Sequence, residues 1–251
     1  MTPLLAPRCA VHRLGLVDYL EAQALQRRLA EACRNRGEQH LLLLEHPPTY
    51  TLGARGKQEH LLLPDDALAR LGAAVHRVDR GGDITFHGPG QLVGYPVIDL
   101  NRWRQGPLWY VRALEAMLLE TLASFGIDAS RLPGRPGVWL GREKIASIGV
   151  HVSRGITSHG FALNVDPDLS FFSHIVPCGL PGVSMTSMVQ HLDCHSERSE
   201  ESDPSRGSLH PLAMPGIMDA VVRAFANVFE IEMEDGDRVV APEAWTPAIA
   251  L

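Results

Sequence analysis

Residues 75–100 read VHRVDRGGDITFHGPGQLVGYPVIDL, two extended segments around a turn that holds four glycines in eleven residues. Glycine loses the most conformational freedom when it is ordered, so such density is costly inside a regular element. It suits a backbone that turns sharply or approaches a ligand closely. The centre of the chain therefore calls for strands, and the flanking sequence supplies helices. Residues 18–36 carry an apolar stripe, Leu20, Leu25, Leu29 and Ala32, with Asp18 as N-cap and Gly37 at the stop. Leu41–Leu44, closed by Pro47 and Pro48, is short and continuously apolar, as a buried strand requires. Residues 65–71 suit a short helix. Residues 107–125 predict the clearest one, with Pro107 in its first turn and Gly126 past its end. Leu108, Val111, Ala113, Leu114, Leu118, Leu122 and Phe125 keep its period. Two strands, VWLG and KIASIGVHV, fill 138–153 and turn near Gly141–Glu143. Phe161–Val165 reads as another strand and 215–229 as an amphipathic helix. The mixture points to one α/β domain over residues 1–251.

Residues 193–210, DCHSERSEESDPSRGSLH, break this pattern with five acids against two arginines. Such a segment buries too little apolar surface to offset its ordering entropy, and it reads as a flexible polar insertion or long surface loop, with a solvated helix end as the alternative for part of it. Elsewhere 45% hydrophobic residues suffice for a full core. A net charge of −6 argues against nucleic acid as a partner. No apolar run approaches the roughly 20 residues of a membrane span. The start, MTPLLAPRCAVHR, lacks an export pattern, and scattered cysteines at 9, 33, 178 and 194 suit a reducing cytoplasm.

Four stretches could carry chemistry. Arg80–Gln91 combines the glycine turn with a fixed charge at Arg80 and a donor at His87. It matches neither GxGxxG nor a P-loop, and a plain structural turn is the alternative. In IVPCGLPG, Cys178 sits between Pro177 and Gly179, hence on a loop that can present a thiol. An inert packed cysteine is the alternative. Ser184–Ser187 after it could cap a helix, whose N-terminus lowers a nearby thiol pKa. In GREKIASIG, Lys144 shares a strand face with Ala146 and Ile148, so it either snorkels to water or points into a site. In TSHGFALNV, Gly160 and Ala162 are small and alternate on one face, leaving room for a ligand or serving ordinary packing. An unperturbed thiol is roughly 3% thiolate at pH 7, and a shift of two units makes it about 75%. A Cys–Lys pair is thus a usable nucleophile without a His base. No HExxH or other ligand spacing is present, so no metal is expected.

The blocks RGGDITFHGPGQLVGYPVIDL, KIASIGVHVSRGITSHGFALNV and IVPCG with Thr186-Ser187, in that order and spacing, resemble the octanoyltransferases of lipoate biosynthesis. The resemblance implies a biotin/lipoate protein ligase-like fold, a mixed sheet flanked by helices. It implies a dyad of Cys178 as nucleophile and Lys144 as partner. It implies an acyl site lined by Arg80, Gly81, Gly82, Asp83, Ile84, Thr85, Phe86 and His87, by Ser147, Ile148 and Gly149, and by Gly160, Phe161 and Ala162. Octanoyl-acyl-carrier protein would be the donor. Lipoyl domains of 2-oxoacid dehydrogenases and the glycine cleavage H protein would be the acceptors. No cofactor or ATP is implied, and backbone N–H groups near the glycine turns are candidate oxyanion donors. Both partner proteins are typically acidic, which nominates Arg27, Arg28, Arg34 and Arg36, with Arg102 and Arg104, for docking. The rival readings are an ATP-dependent lipoate or biotin ligase, a non-catalytic carrier-protein binder and a cysteine thioesterase.

Overall fold

Leu41–Leu44 are all fully buried because their strand is covered on both faces. The computed structural model describes residues 7–176, 182–196 (side chains to Leu192) and 213–236. Its elements are β1 Arg8–Leu16, α1 Tyr19–Arg36, β2 Gln39–Glu45, β3 Thr49–Leu52, α2 Asp65–Arg70, β4 Ala74–Arg77, β5 Ile84–His87, β6 Gln91–Val97 and α3 Pro107–Ala123. These are followed by β7 Ser130–Leu132, β8 Arg135–Leu140, β9 Glu143–Ser153, β10 Ile156–Asn164, β11 Ser184–Met185, α4 Val189–Ser196, α5 Met214–Phe229 and β12 Glu232–Asp235. The large mixed sheet runs β12-β1-β2-β6-β10-β9-β8-β7, with β11 also on β9. A small sheet runs β4-β3-β5.

Strand alternation sends Leu42 and Leu44 to one face, where Leu25 and Leu29 of α1 cover them with Val93, Tyr95 and Ala162. Leu41 and Leu43 face α3 and α5, with Leu92, Phe161, Leu163, Leu114, Leu118, Val221 and Phe225. A third cluster, Tyr50, Leu52, Ile84, Phe86, Phe172 and Ile175, backs the small sheet. Helix α1 starts where Asp18 accepts the N–H groups of Leu20 and Glu21, and it stops at Gly37, whose φ is +72°.

Three expectations need correction. Residues 75–100 form three strands rather than two, and they divide between the two sheets. Leu20 and Leu108 are exposed, because each sits in the first turn of its helix on the side away from the sheet, and Gln26 and Cys33 extend the buried stripe of α1 instead. Ser184 and Met185 form a strand on β9 rather than a helix cap. The stretch 193–210 opens inside α4, which runs to Ser196, as its helix-end alternative allows; residues 197–210 lie outside the described residues.

His46 is buried between the elements that carry the site. Its Nδ1 lies 2.7 Å from the Val17 carbonyl, which can only accept, so Nδ1–H donates there. Nε2, 2.7 Å from the Tyr95 hydroxyl, then accepts from it, and the ring is neutral. Burial pushes the His46 pKa down to about 4. The unfolded chain, with an ordinary His near 6.5, binds more protons between these values, so stability rises with pH there. The full effect is about 3 kcal/mol, of which about 2 kcal/mol is already lost at pH 5. The thermal midpoint is expected to fall from pH 7.5 to pH 5, with a shallower fall in His46→Gln. An equally steep fall in that variant would contradict the assignment.

Candidate active site

Lys144 does not snorkel. It is 3% exposed, on β9 at the place where its neighbours change. β10 pairs with β9 only as far as Ala146, and β11 takes its place at Lys144 and Glu143. The Thr186 N–H donates to the Lys144 carbonyl at 3.0 Å, and Asn164 Nδ2 donates to the Thr186 carbonyl at 2.9 Å, closing the switch between strands. On the other edge, β8 shifts register between Val138 and Trp139. Lys144 Nζ lies 5.3 Å from the centre of the Trp139 ring, within cation–π range. Gly137, at φ +119°, makes room for this side chain: a Cβ there would sit 2.6 Å from Lys144 Cε. Gly137 is anchored in turn by the buried Glu115 carboxylate of α3, which accepts its N–H at 3.1 Å and pairs with Arg112 and Arg131.

Lys144 lines a cavity of about 650 Å³ between the two sheets. Arg80, Gly81, Gly82, Asp83, Ile84, Thr85 and His87 form one wall. Ser147, Ile148, Gly149, Gly160, Phe161 and Ala162 form the other. Phe86 is the exception. It is 1% exposed and stacks on Phe171 in the cluster behind β5, because alternation along the strand turns it away from Thr85 and His87.

Several of these residues shape the walls. The Arg80 guanidinium donates to the Thr51 carbonyl at 2.6 Å, the Thr51 hydroxyl at 2.9 Å and the Gly81 carbonyl at 3.0 Å. Its aliphatic stem crosses β9 at Gly149, where a Cβ would come within 2.9 Å of Arg80 Cδ. Gly160 has a structural reason of its own. A Cβ there would overlap the Gly94 carbonyl and the Pro96 ring of β6, so its small size serves sheet packing. Asp83 clamps its loop by accepting the Ile84 N–H at 2.7 Å and facing His60 Nδ1 at 2.7 Å. His87 Nδ1–H is committed to Gln91 Oε1 at 2.8 Å, and burial holds the ring well below its usual pKa. The Gly81 N–H donates to Val150 and the Ile84 N–H to Asp83, so these two amides are engaged within the fold.

Cys178 lies outside the described residues, in 177–181. The described residues on either side attach to the cavity wall. Val176 N–H donates to the carbonyl of His60, and Met185 pairs with Lys144; His60 and Lys144 both line the cavity. Cys9 and Cys33 are buried, and desolvation drives both thiols up, Cys33 to about 11 and Cys9 further. Neither supplies a thiolate at neutral pH.

The sequence reading missed Tyr19, Tyr95, Trp139 and His159 as lining residues. Tyr19 opens α1 and is 2% exposed, and its hydroxyl has no hydrogen-bond partner among the described residues. His159 has φ +55° inside β10, which a Gln26 side chain accepting its N–H and an Asp79 carboxylate 2.8 Å from Nε2 hold in place. A histidine before Gly160 was the only signal available for it. Among the described residues there is no cluster of metal-ligating side chains.

The sequence model of the lipoyl protein ligase A/B catalytic domain matches residues 18–225. The octanoyltransferase of Solibacter usitatus is 46% identical over 237 residues, 93% of this chain and 98% of that one. The chain belongs to the octanoyltransferase family. The octanoyltransferase of Gloeobacter violaceus is also 46% identical, across 91% of this chain and 94% of its own. A solved lipoate-protein ligase A bound with ATP shares the fold at a TM-score of 0.65 and 15% identity, covering 92% of this chain and 88% of that one. The bipartite lipoate protein ligase of Thermoplasma acidophilum, described with its E2 lipoyl domain, does so at 0.63 and 16%, covering 91% and 86%. The mixed sheet flanked by helices is therefore the lipoate ligase architecture, in a family whose relatives are named as transferases.

Proposed function

We propose that this octanoyltransferase works by covalent catalysis, moving an octanoyl group from octanoyl-acyl-carrier protein to a lysine of a lipoyl domain through a thioester on Cys178. The observation that carries the reading is Lys144, buried in the cavity wall and paired along its backbone with the strand that follows Cys178. An ammonium there favours the thiolate. The thiolate attacks the thioester carbon on the carrier's phosphopantetheine arm. The bond to Cys178 forms, the bond to the arm's sulfur breaks, and the departing thiolate takes a proton from Lys144.

The neutral Lys144 amine then removes a proton from the incoming lipoyl lysine. That amine attacks the acyl carbon, the amide forms and Cys178 leaves as thiolate. The second amine proton passes to solvent, and Lys144 is again an ammonium. The acyl chain lies along Ile148–Gly149 and Gly160–Ala162, against Arg80–Thr85 and His87. Acceptors are the lipoyl domains of 2-oxoacid dehydrogenases and the glycine cleavage H protein, in the cytoplasm. The whole chain acts as one catalytic domain. No helix among the described residues is long and apolar enough to cross a membrane.

Thioester-to-amide exchange is downhill and needs no adenylate. Octanoyl-carrier protein and a lipoyl domain, mixed without ATP, are expected to give one octanoylated lysine for each carrier thiol released. A requirement for ATP and free octanoate would replace this reading with the ligase one. Free octanoate as the sole product would replace it with the thioesterase one.

A further inference from the structure

We infer that a basic rim formed by Arg55 and Arg135 docks the anionic end of the acyl donor, the phosphodiester of the phosphopantetheine arm with the acidic surface around it. This rests on the reading of an acyl-carrier protein as donor. The arginines nominated from the sequence are placed elsewhere. None of Arg27, Arg28, Arg34, Arg36, Arg102 or Arg104 lines the Lys144 cavity. Arg36 is engaged with Glu38 at 2.6 Å, and Arg102 with the Gly37 carbonyl at 3.1 Å.

The basic residues at the Lys144 cavity's surface are Arg55 and Lys57 on the loop after β3, and Arg135 at the start of β8. All three are exposed. Lys57 is paired with Glu59 at 3.3 Å, whereas neither Arg55 nor Arg135 is in an ion pair among the described residues. The nearby carboxylate of Asp83 is already committed to His60 and two backbone N–H groups. Both arginines stand on fixed backbone. The Arg55 N–H donates to the Gly82 carbonyl at 3.0 Å, and Trp139 Nε1 donates to the Arg135 carbonyl at 3.2 Å. Arg55 thus stands beside the glycine wall, and Arg135 beside the ring that lies under Lys144.

Two guanidinium groups without carboxylate partners among the described residues, at the opening of a cavity in a chain of net charge −6, are a local field opposed to the whole. Guanidinium matches phosphate oxygens in a fixed fork. The same field disfavours the ammonium of an incoming lipoyl lysine, so the donor fits the rim better than the acceptor does.

The test measures the rate of acyl-enzyme formation by quenched intact mass, with octanoyl-carrier protein, octanoyl-phosphopantetheine and octanoyl-pantetheine as donors. In the Arg55→Glu/Arg135→Glu double variant, loading by the carrier is expected to fall by about 30-fold or more at low salt. Loading by octanoyl-phosphopantetheine should fall by about tenfold, and by octanoyl-pantetheine, which has no phosphate, by less than about threefold. Added salt should slow wild-type loading by the carrier and, by screening the repulsion that the two glutamates introduce, speed loading of the variant, so that the gap between them narrows. Equal losses on all three donors, or no loss on the carrier, would overturn the inference. A loss confined to discharge by the lipoyl domain would transfer the rim to the acceptor and overturn it equally. A wild-type enzyme loaded by none of the three would instead remove the donor reading, and the rim with it.

Discussion

Replacing Cys178 by alanine is expected to lower octanoyl transfer by at least about 10⁴-fold, to the background of spontaneous aminolysis. A thioester route has no detour around its nucleophile. The cysteines whose side chains are described offer none, because Cys9 and Cys33 are sealed in the core with thiols driven upward by burial. The variant should fold normally, with a thermal midpoint close to that of the wild type. Turnover within tenfold of wild type, measured as octanoylated lipoyl domain, would mean that the lysine attacks the carrier thioester directly.

Lys144→Met is expected to cost about 10³-fold in transfer. Methionine keeps the unbranched stem between Gly137 and Trp139 and removes the charge. The thiolate fraction falls from about 75% to about 3%, or roughly 25-fold, if the pairing is worth two pKa units. The rest comes from losing the group that protonates the departing carrier thiolate and deprotonates the incoming amine, a role worth about 10²-fold or more. Two measurements separate this from misfolding. The pH profile of Cys178 alkylation should move up by about two units, and raising the pH should recover part of the loading rate. An alkylation profile identical to wild type would remove Lys144 from the dyad.

What the sequence made legible was local. The Asp18 cap, the Gly37 stop and the leucines of β2 each depend on a few neighbouring residues, and the structure has them where they were expected. The blocks 80–87, 147–149 and 160–162 are runs of consecutive residues, and apart from Phe86 they meet at one cavity. The division of residues 75–100 between two sheets was not legible, because β5 pairs with β3, and β6 with β2 and β10, across long stretches of chain. Tyr19 and Trp139 escaped for the same reason: a tyrosine opening a helix and a tryptophan in a strand are ordinary core residues until the fold brings them together. Gly160 shows the opposite limit. Its small size suggested space for a ligand, whereas the backbone of β6 already demands it. Lys144 was undecided on its own strand, since snorkelling and pointing inward share one pattern. The register shift at Trp139, the glycine at 137 and the arrival of β11 decide it.

The central claim is that the octanoyl group rests on Cys178 between donor and acceptor. Intact-protein mass spectrometry of the wild-type enzyme, mixed with octanoyl-carrier protein and no ATP, tests it most directly. The account predicts a single octanoyl adduct, absent from Cys178→Ala and discharged when a lipoyl domain is added. An enzyme that shows no adduct yet octanoylates the domain once ATP and free octanoate are supplied would contradict it.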